Sequence, residues 1–220
     1  GLVLILGVLA GSTSIIFIKL STLHPLLLAS YRQLVAAVAL TPMLIGALRR
    51  LPRADRPSAA SLLRRSFLPG LALAAHFVTW IGGSRMTLAA NAALIVNLSP
   101  VVMPFFLYVS LKERVTRREW LGTGIAMAGV AVLAASGLRL GAGTWRGDAL
   151  CLLSMLFFAL YLTLARRRSG GGSLWLYVVP LYAIGGLACL LPALFMASPV
   201  RAYPIREVLL ILGIGLVPTV

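Results

Sequence analysis

Long apolar blocks alternate along this chain with short clusters of charged and polar residues. A helix that crosses a bilayer needs about 20 apolar residues, within a range of about 17 to 25. Measured against that length, the pattern predicts eight helical segments. The first runs over Leu2–Ile18 and the second over Leu26–Leu48, with Lys19–Pro25 as the turn between them. Arg49–Arg65 is the longest polar loop, followed by a short third segment, Phe67–Ile81, and a turn at Gly82–Leu88. The fourth segment is Ala89–Leu111 and the fifth Trp120–Ser136, before a glycine-rich loop at Gly137–Gly147. The sixth is Asp148–Ala165, closed by Arg166, Arg167 and Arg168, and Ser169–Ser173 is a Gly/Ser link. The seventh is Leu174–Ala197, Ser198–Arg206 is a loop, and an eighth starts at Glu207.

The stretch from Asn97 to Gly122 carries this pattern most plainly. Pro100 and Pro104 fall inside its first helix. In water they would break it, whereas neighbouring helices in a bilayer can satisfy the freed carbonyls. The charged turn from Lys112 to Glu119 must lie in water, and Trp120 opens the next helix as an interfacial residue. The expected fold is therefore all-α, a polytopic transmembrane helix bundle.

Composition supports this. The chain is 60% hydrophobic and 11% charged, where a soluble domain carries about 25% charged residues. A net charge of +15 raises the question of nucleic acid as a partner. The position of the charges answers it, because they sit in short loops flanking apolar helices, where the positive-inside rule puts them. Arg49, Arg50, Arg53, Arg56, Arg64, Arg65, Lys112, Arg114, Arg117, Arg118, Arg166, Arg167 and Arg168 lie in alternate loops. The opposite loops hold the smaller set Lys19, Arg85, Arg139, Arg146, Arg201 and Arg206. The excess places the first set, and the N-terminus, in the cytoplasm, with the chain multi-pass in the cell inner (plasma) membrane. Cys151 and Cys189 lie in apolar segments without metal-binding spacing and read as core- or lipid-facing side chains. No cofactor and no metal site is expected.

A weak internal repeat is visible. The sixth segment with its basic end resembles the first, Pro42 has a counterpart in Pro192, and Gly70 in Gly213. The offset is five segments, and an odd number per copy turns the two copies into opposite orientations, the inverted repeat of many secondary transporters. Residues 1–137 would be the first repeat and 147–220 an incomplete second, with about two helices expected after Val220.

Several stretches together carry a family resemblance. They are the first segment running into Lys19, Arg32 within ASYRQLVAAVAL, the block NAALIVNLSP from Asn91 to Pro100, and LKERVTRREWLGTGIAMAGVAVL. Gly147, Asp148 and FFALYLTLARR open the second copy. In their order and spacing these resemble the EamA family of the drug/metabolite transporter superfamily. The resemblance implies a ten-helix carrier, chiefly an exporter of amino acids and related small metabolites. Some relatives move nucleotide sugars or lipid-linked sugars. In small relatives the equivalent of the fifth segment dimerises, which makes a homodimer one expectation here.

Candidate substrate-binding residues are Arg32, His76, Trp80, Asn97 and Tyr161. A charged side chain inside a helix is costly unless it meets protein, water or the interface. Arg32 either faces a central cavity and pairs with an anionic group, or reaches from near the helix start to the outer interface. His76 and Trp80 are four apart and share a face. His76 either lines a pathway or bonds between helices, and Trp80 reads more simply as part of the outer aromatic belt. Asn91 and Asn97 point to different faces, and Asn97, beside Ser99 and Pro100, is preferred. Tyr161 is a further candidate. Gly7, Gly11, Gly122, Ala126 and Gly129 stand at spacings that let helix backbones approach. Glu113 and Glu119 balance charge in the turn, and no embedded acid is evident, since Asp148 and Glu207 sit at helix ends. That favours facilitated export or exchange over strict proton coupling. An integral membrane enzyme is the remote alternative, because neither a nucleophile elbow nor a phosphate loop is present.

Overall fold

A computed structural model describes residues 2–112, 116–139, 145–168, 173–196 and 203–219. Side chains are described at all of these except 2–9, 100, 110–111, 126–127, 130–131, 133–139 and 167–168. Every regular element among the described residues is helical, apart from turns. The helices are α1 (Leu2–Leu20), α2 (Pro25–Arg50), α3 (Ala59–Met86), α4 (Ala89–Val96) and α5 (Ser99–Leu111). They continue with α6 (Arg117–Arg139), α7 (Trp145–Arg168), α8 (Trp175–Met196) and α9 (Ile205–Leu216). Five stretches among the described residues are long and apolar enough to cross a membrane: Pro25–Arg50, Arg53–Met86, Ala89–Val109, Trp145–Arg166 and Trp175–Met196.

Local chemistry sets the helix ends. Pro25 stands in the first turn of α2, where its missing N–H is not needed. His24 caps that turn, its Nδ1 accepting from the Leu26 N–H at 3.3 Å. At the start of α6, Thr116 and Glu119 form a reciprocal cap. The Thr116 N–H and hydroxyl donate to the Glu119 carboxylate at 2.7 and 2.8 Å, and the Glu119 N–H returns to Thr116 Oγ1 at 3.3 Å. Glu119 is thus a helix cap as well as a charge-balancing residue, whereas Glu113 and Arg114 lie outside the described residues.

The largest departures from the hydropathy pattern lie in the first four segments. The polar loop expected over 49–65 is much shorter, because α2 continues to Arg50 and α3 begins at Ala59, with a 3-10 turn at Arg53–Asp55 between them. Backbone hydrogen bonding continues regardless of where side-chain charge begins, so helices run past their apolar cores into water. The expected turn at 82–88 shrinks for the same reason. The fourth segment is broken at Asn97 and Leu98. Pro100 therefore sits in the first turn of α5, and Pro104 alone remains inside that helix. Ser99 Oγ donates to the Val96 carbonyl across the break.

The chain forms two compact units, one of residues 1–74 and 168–220, the other of residues 75–167. In the first, α2 packs along α8 and against α9, and α1 packs on α9. Glycines set these approaches. A Cβ at Gly186 would fall 2.7 Å from Leu34 Cγ, one at Gly213 2.5 Å from Phe17, and one at Gly215 2.6 Å from Val35. A Cβ at Gly70 would meet the Leu181 carbonyl and Ile184 at 3.0 Å. Ser66 bonds the Tyr177 carbonyl and Cys189 the Ala74 carbonyl, so α3 and α8 run in the same direction. Phe17 meets Gly213 while Thr22 meets Glu207, so α1 and α9 run in opposite directions.

In the second unit, α7 runs against α3. His76 meets Ser154, and the Gly83 position faces Cys151 and the Gly147 carbonyl, each 2.9 Å from a Cβ placed there. Thr87 Oγ1 donates to the Asp148 carboxylate. Thr123 of α6 donates to the Val101 carbonyl of α5 at 3.0 Å.

The glycines singled out by spacing are not these. A Cβ at Gly11, Gly122 or Gly129 would have nothing within 4 Å. They make no close helix contact within the described chain, because spacing does not say which face of a helix is covered. The surroundings of Gly7 and Ala126 lie outside the described residues.

Candidate functional site

In the first unit, Arg32 is 3% exposed. Its Nε and Nη2 donate to Thr219 Oγ1 at 3.3 and 2.9 Å, and its Nη1 to Ser14 Oγ at 3.4 Å. Thr219 in turn donates to the Ile214 carbonyl at 2.8 Å and accepts from the Tyr182 hydroxyl, through its carbonyl, at 2.9 Å. The guanidinium is therefore held among α1, α8 and the end of α9 rather than extended to an exposed interface. Hydroxyls solvate it and fix its plane, with the Nε–Nη2 edge turned to Thr219 Oγ1.

At the α1–α2 turn lies a second polar cluster that sequence reasoning missed. Glu207, 4% exposed, accepts from Ser21 Oγ at 2.8 Å, the Thr22 N–H at 2.8 Å and Thr22 Oγ1 at 2.9 Å. Beside it Arg206 donates to the Leu20 carbonyl at 3.1 Å. The Tyr31 and Tyr203 hydroxyls meet at 3.4 Å with their rings edge to face. An acid at a helix start was visible in the sequence, but partners 185 residues away were not.

A third polar point sits between α2, α3 and α8. Gln33 donates to the Ala29 carbonyl at 3.0 Å and to Cys189 Sγ at 3.8 Å. Its Oε1 has no hydrogen-bond partner among the described residues and lies against Gly185. Cys151 and Cys189 are both buried, in keeping with core-facing thiols.

In the second unit, His76 is buried and its Nδ1 lies 3.0 Å from the Ser154 carbonyl and 2.8 Å from Ser154 Oγ. The Ser154 hydroxyl also reaches the His76 carbonyl at 3.1 Å. A carbonyl can only accept, so the tautomer with a proton on Nδ1 satisfies this set. The ring stacks on Phe158 at 4.7 Å, and Phe158 meets Tyr161 at 5.8 Å. His76 and Tyr161 thus belong to one aromatic row, joined by Phe158. Ser154, a lone polar residue in an apolar run, was the available signal for it. Trp80 is buried, not in an exposed outer belt.

Asn97 stands at the break between α4 and α5. It is exposed, and its side-chain amide donates to the Ala93 carbonyl at 2.8 Å, closing the end of α4. Asn91 is the buried member of the pair. In the sequence NLSP, the Asn ends one helix and the Ser and Pro begin the next, so the proximity to Pro100 marks a helix break.

Helical throughout its described elements, with five stretches of spanning length, the chain is a polytopic membrane protein. The model of the EamA-like transporter family matches residues 1–135, and the chain belongs to that family. No curated protein matches it. Among solved structures, a crystal structure described simply as that of a protein aligns with a TM-score of 0.60 at 17% identity. The alignment covers 96% of this chain and 74% of that one. At that identity the likeness speaks to fold alone.

Proposed function

We propose that the chain works as a secondary transporter that exports amino acids or related small metabolites by alternating access, with its N-terminus in the cytoplasm of the cell that bears it in its inner membrane. The observation that carries the proposal is a pair of matching contacts in the first unit. Gly70 of α3 lies against Leu181 and Ile184 of α8, and Gly215 of α9 against Arg32 and Val35 of α2. In each case one helix lays a glycine on residues i and i+3 of its neighbour. Tyr182, early in α8, bonds to Thr219, beyond the end of α9, the pairing expected of two antiparallel helices. The short α1–α2 turn and the opposed α1 and α9 leave α2 and α9 parallel, and hence α2 and α8 antiparallel. Counterpart segments two and seven then run in opposite directions, which supports an inverted repeat.

Arg32, with Ser14, Tyr182 and Thr219, is assigned to the anionic group of the solute. His76, Trp80 and Tyr161 are assigned to its passage. The full-length protein, reconstituted in proteoliposomes, is expected to move labelled amino acids. Flux of lipid-linked sugars in their place would shift the assignment to a flippase, and chemical turnover without flux of either would overturn the transporter. Arg32→Ala is expected to abolish flux and Arg32→Lys to retain part of it. Unchanged flux in both removes Arg32 from the site.

A further inference from the structure

We infer that the connection between α2 and α3 is a seat for one anionic phospholipid, its phosphate held by arginines of the loop and of the start of α3 and its acyl chain laid along the open face of α3. The inference rests on the membrane placement of these helices and goes beyond the transport reaction.

The charge comes first. Between Arg49 and Arg65 stand six arginines and a single acid, Asp55. All six arginines are exposed, so the surface they make is strongly cationic. Topology alone asks only for a local excess of basic residues. Here that excess is built on fixed backbone. Arg53 lies in the 3-10 turn, Arg56 is anchored by its Nε to the Leu51 carbonyl at 3.2 Å, and Arg64 stands on α3 itself.

The apolar seat lies directly beneath. Ser66 and Gly70 face α8 and are buried. On other faces of the same helix, Leu63, Phe67 and Leu71 follow at intervals of four, and Arg64 stands one turn before Leu68. Leu63 is 51% exposed, Phe67 52% and Leu68 46%. At 1.5 Å per residue, Leu68 lies about 6 Å along the axis from Arg64. A phosphate at Arg64 therefore leaves its glycerol and first methylenes over Phe67 and Leu68. Charge complementarity selects the occupant. A zwitterionic lipid would bring its own cation to this surface, whereas an anionic one brings none and gains from each basic residue near it.

The test uses Phe67→Trp as a reporter in the full-length protein, with its native tryptophans replaced by phenylalanine, reconstituted in phosphatidylcholine vesicles. The vesicles carry equal mole fractions of brominated-chain phosphatidylglycerol or brominated-chain phosphatidylcholine. Leu191→Trp, on an exposed face of α8, is the control. Stronger quenching by the phosphatidylglycerol is expected at position 67 and not at 191, with a preference of roughly fivefold for each arginine engaged. Arg56→Gln and Arg64→Gln should each reduce it. High salt should erase it in the protein that carries only the reporter, whether or not the arginine variants fold. Equal quenching by both lipids, a preference equal at both positions, or a preference indifferent to salt overturns the site. Absence of quenching by either lipid would instead refute the membrane placement itself.

Discussion

Glu207 allows a magnitude to be worked from the structure. Glu207→Ala removes the acceptor of three hydrogen bonds that tie the start of α9 to the α1–α2 turn. The bond from Ser21 counts most, because both ends are buried. A hydrogen bond to a charged group contributes about 1.5–3 kcal/mol, and an unsatisfied buried hydroxyl costs a similar amount. Thr22 is exposed, so its N–H and hydroxyl can turn to water and add little. An acid in the first turn of a helix contributes roughly 0.5 kcal/mol more through the helix dipole. The expected loss is about 2–4 kcal/mol for Glu207→Ala and about half of that for Glu207→Gln, which keeps an acceptor oxygen. Unfolding in mixed micelles measures both. Ser21 Oγ also accepts from the Leu23 N–H at 3.3 Å, so Ser21→Ala alone overstates the link. A double-mutant cycle of Ser21→Ala with Glu207→Gln isolates it, with a coupling of about 1 kcal/mol or more expected. A Glu207→Ala protein as stable as the parent, or a cycle that closes additively, would refute the reasoning.

The remaining expectations concern glycines, caps and thiols. Gly83→Ala should destabilise by about 1–3 kcal/mol, because its Cβ would meet the Cys151 nitrogen and Gly147 oxygen at 2.9 Å and backbone cannot step aside. Gly122→Ala, with nothing within 4 Å, should be neutral or stabilise by about 0.5–1 kcal/mol through helix propensity, and a loss of similar size to that at Gly83 would contradict the assignment. The Thr116 N–H and hydroxyl hold the Glu119 carboxyl below the usual carboxylate range. A depressed carboxyl contributes stability that is present above its unfolded pKa of about 4.3 and is lost as pH falls through the folded value. Amide exchange in the first turn of α6 should therefore accelerate, relative to the chemical rate, only in acid, while Glu119→Ala frays at every pH; protection unchanged throughout the acid range would exclude the cap. Maleimide should label neither Cys151 nor Cys189, both buried, until the protein is unfolded in detergent, and rapid labelling of either in the folded protein would refute that burial.

The fold class was legible because lipid imposes it. Apolar blocks of spanning length separated by charge leave little choice of architecture, and the backbone must satisfy itself within each block. What was not legible shares one physical cause: a sequence gives the period of a helix but not the identity of its neighbour. Gly11, Gly122 and Gly129 have the spacing of packing residues and face open space, whereas Gly83, Gly147, Gly186 and Gly215 lie where a Cβ would collide. Hydropathy treats the two groups alike, since glycine contributes the same to either. The polar residues follow the same division. Asn97 answers to its own helix, through a carbonyl four residues back. Arg32 and Glu207 answer to partners 187 and 185 residues distant, so their surroundings become visible only when α9 is laid against α1 and α2. Charge that looked terminal in the chain is interior in space, because the turn after α1 folds over the start of α9 and takes its carboxylate out of water.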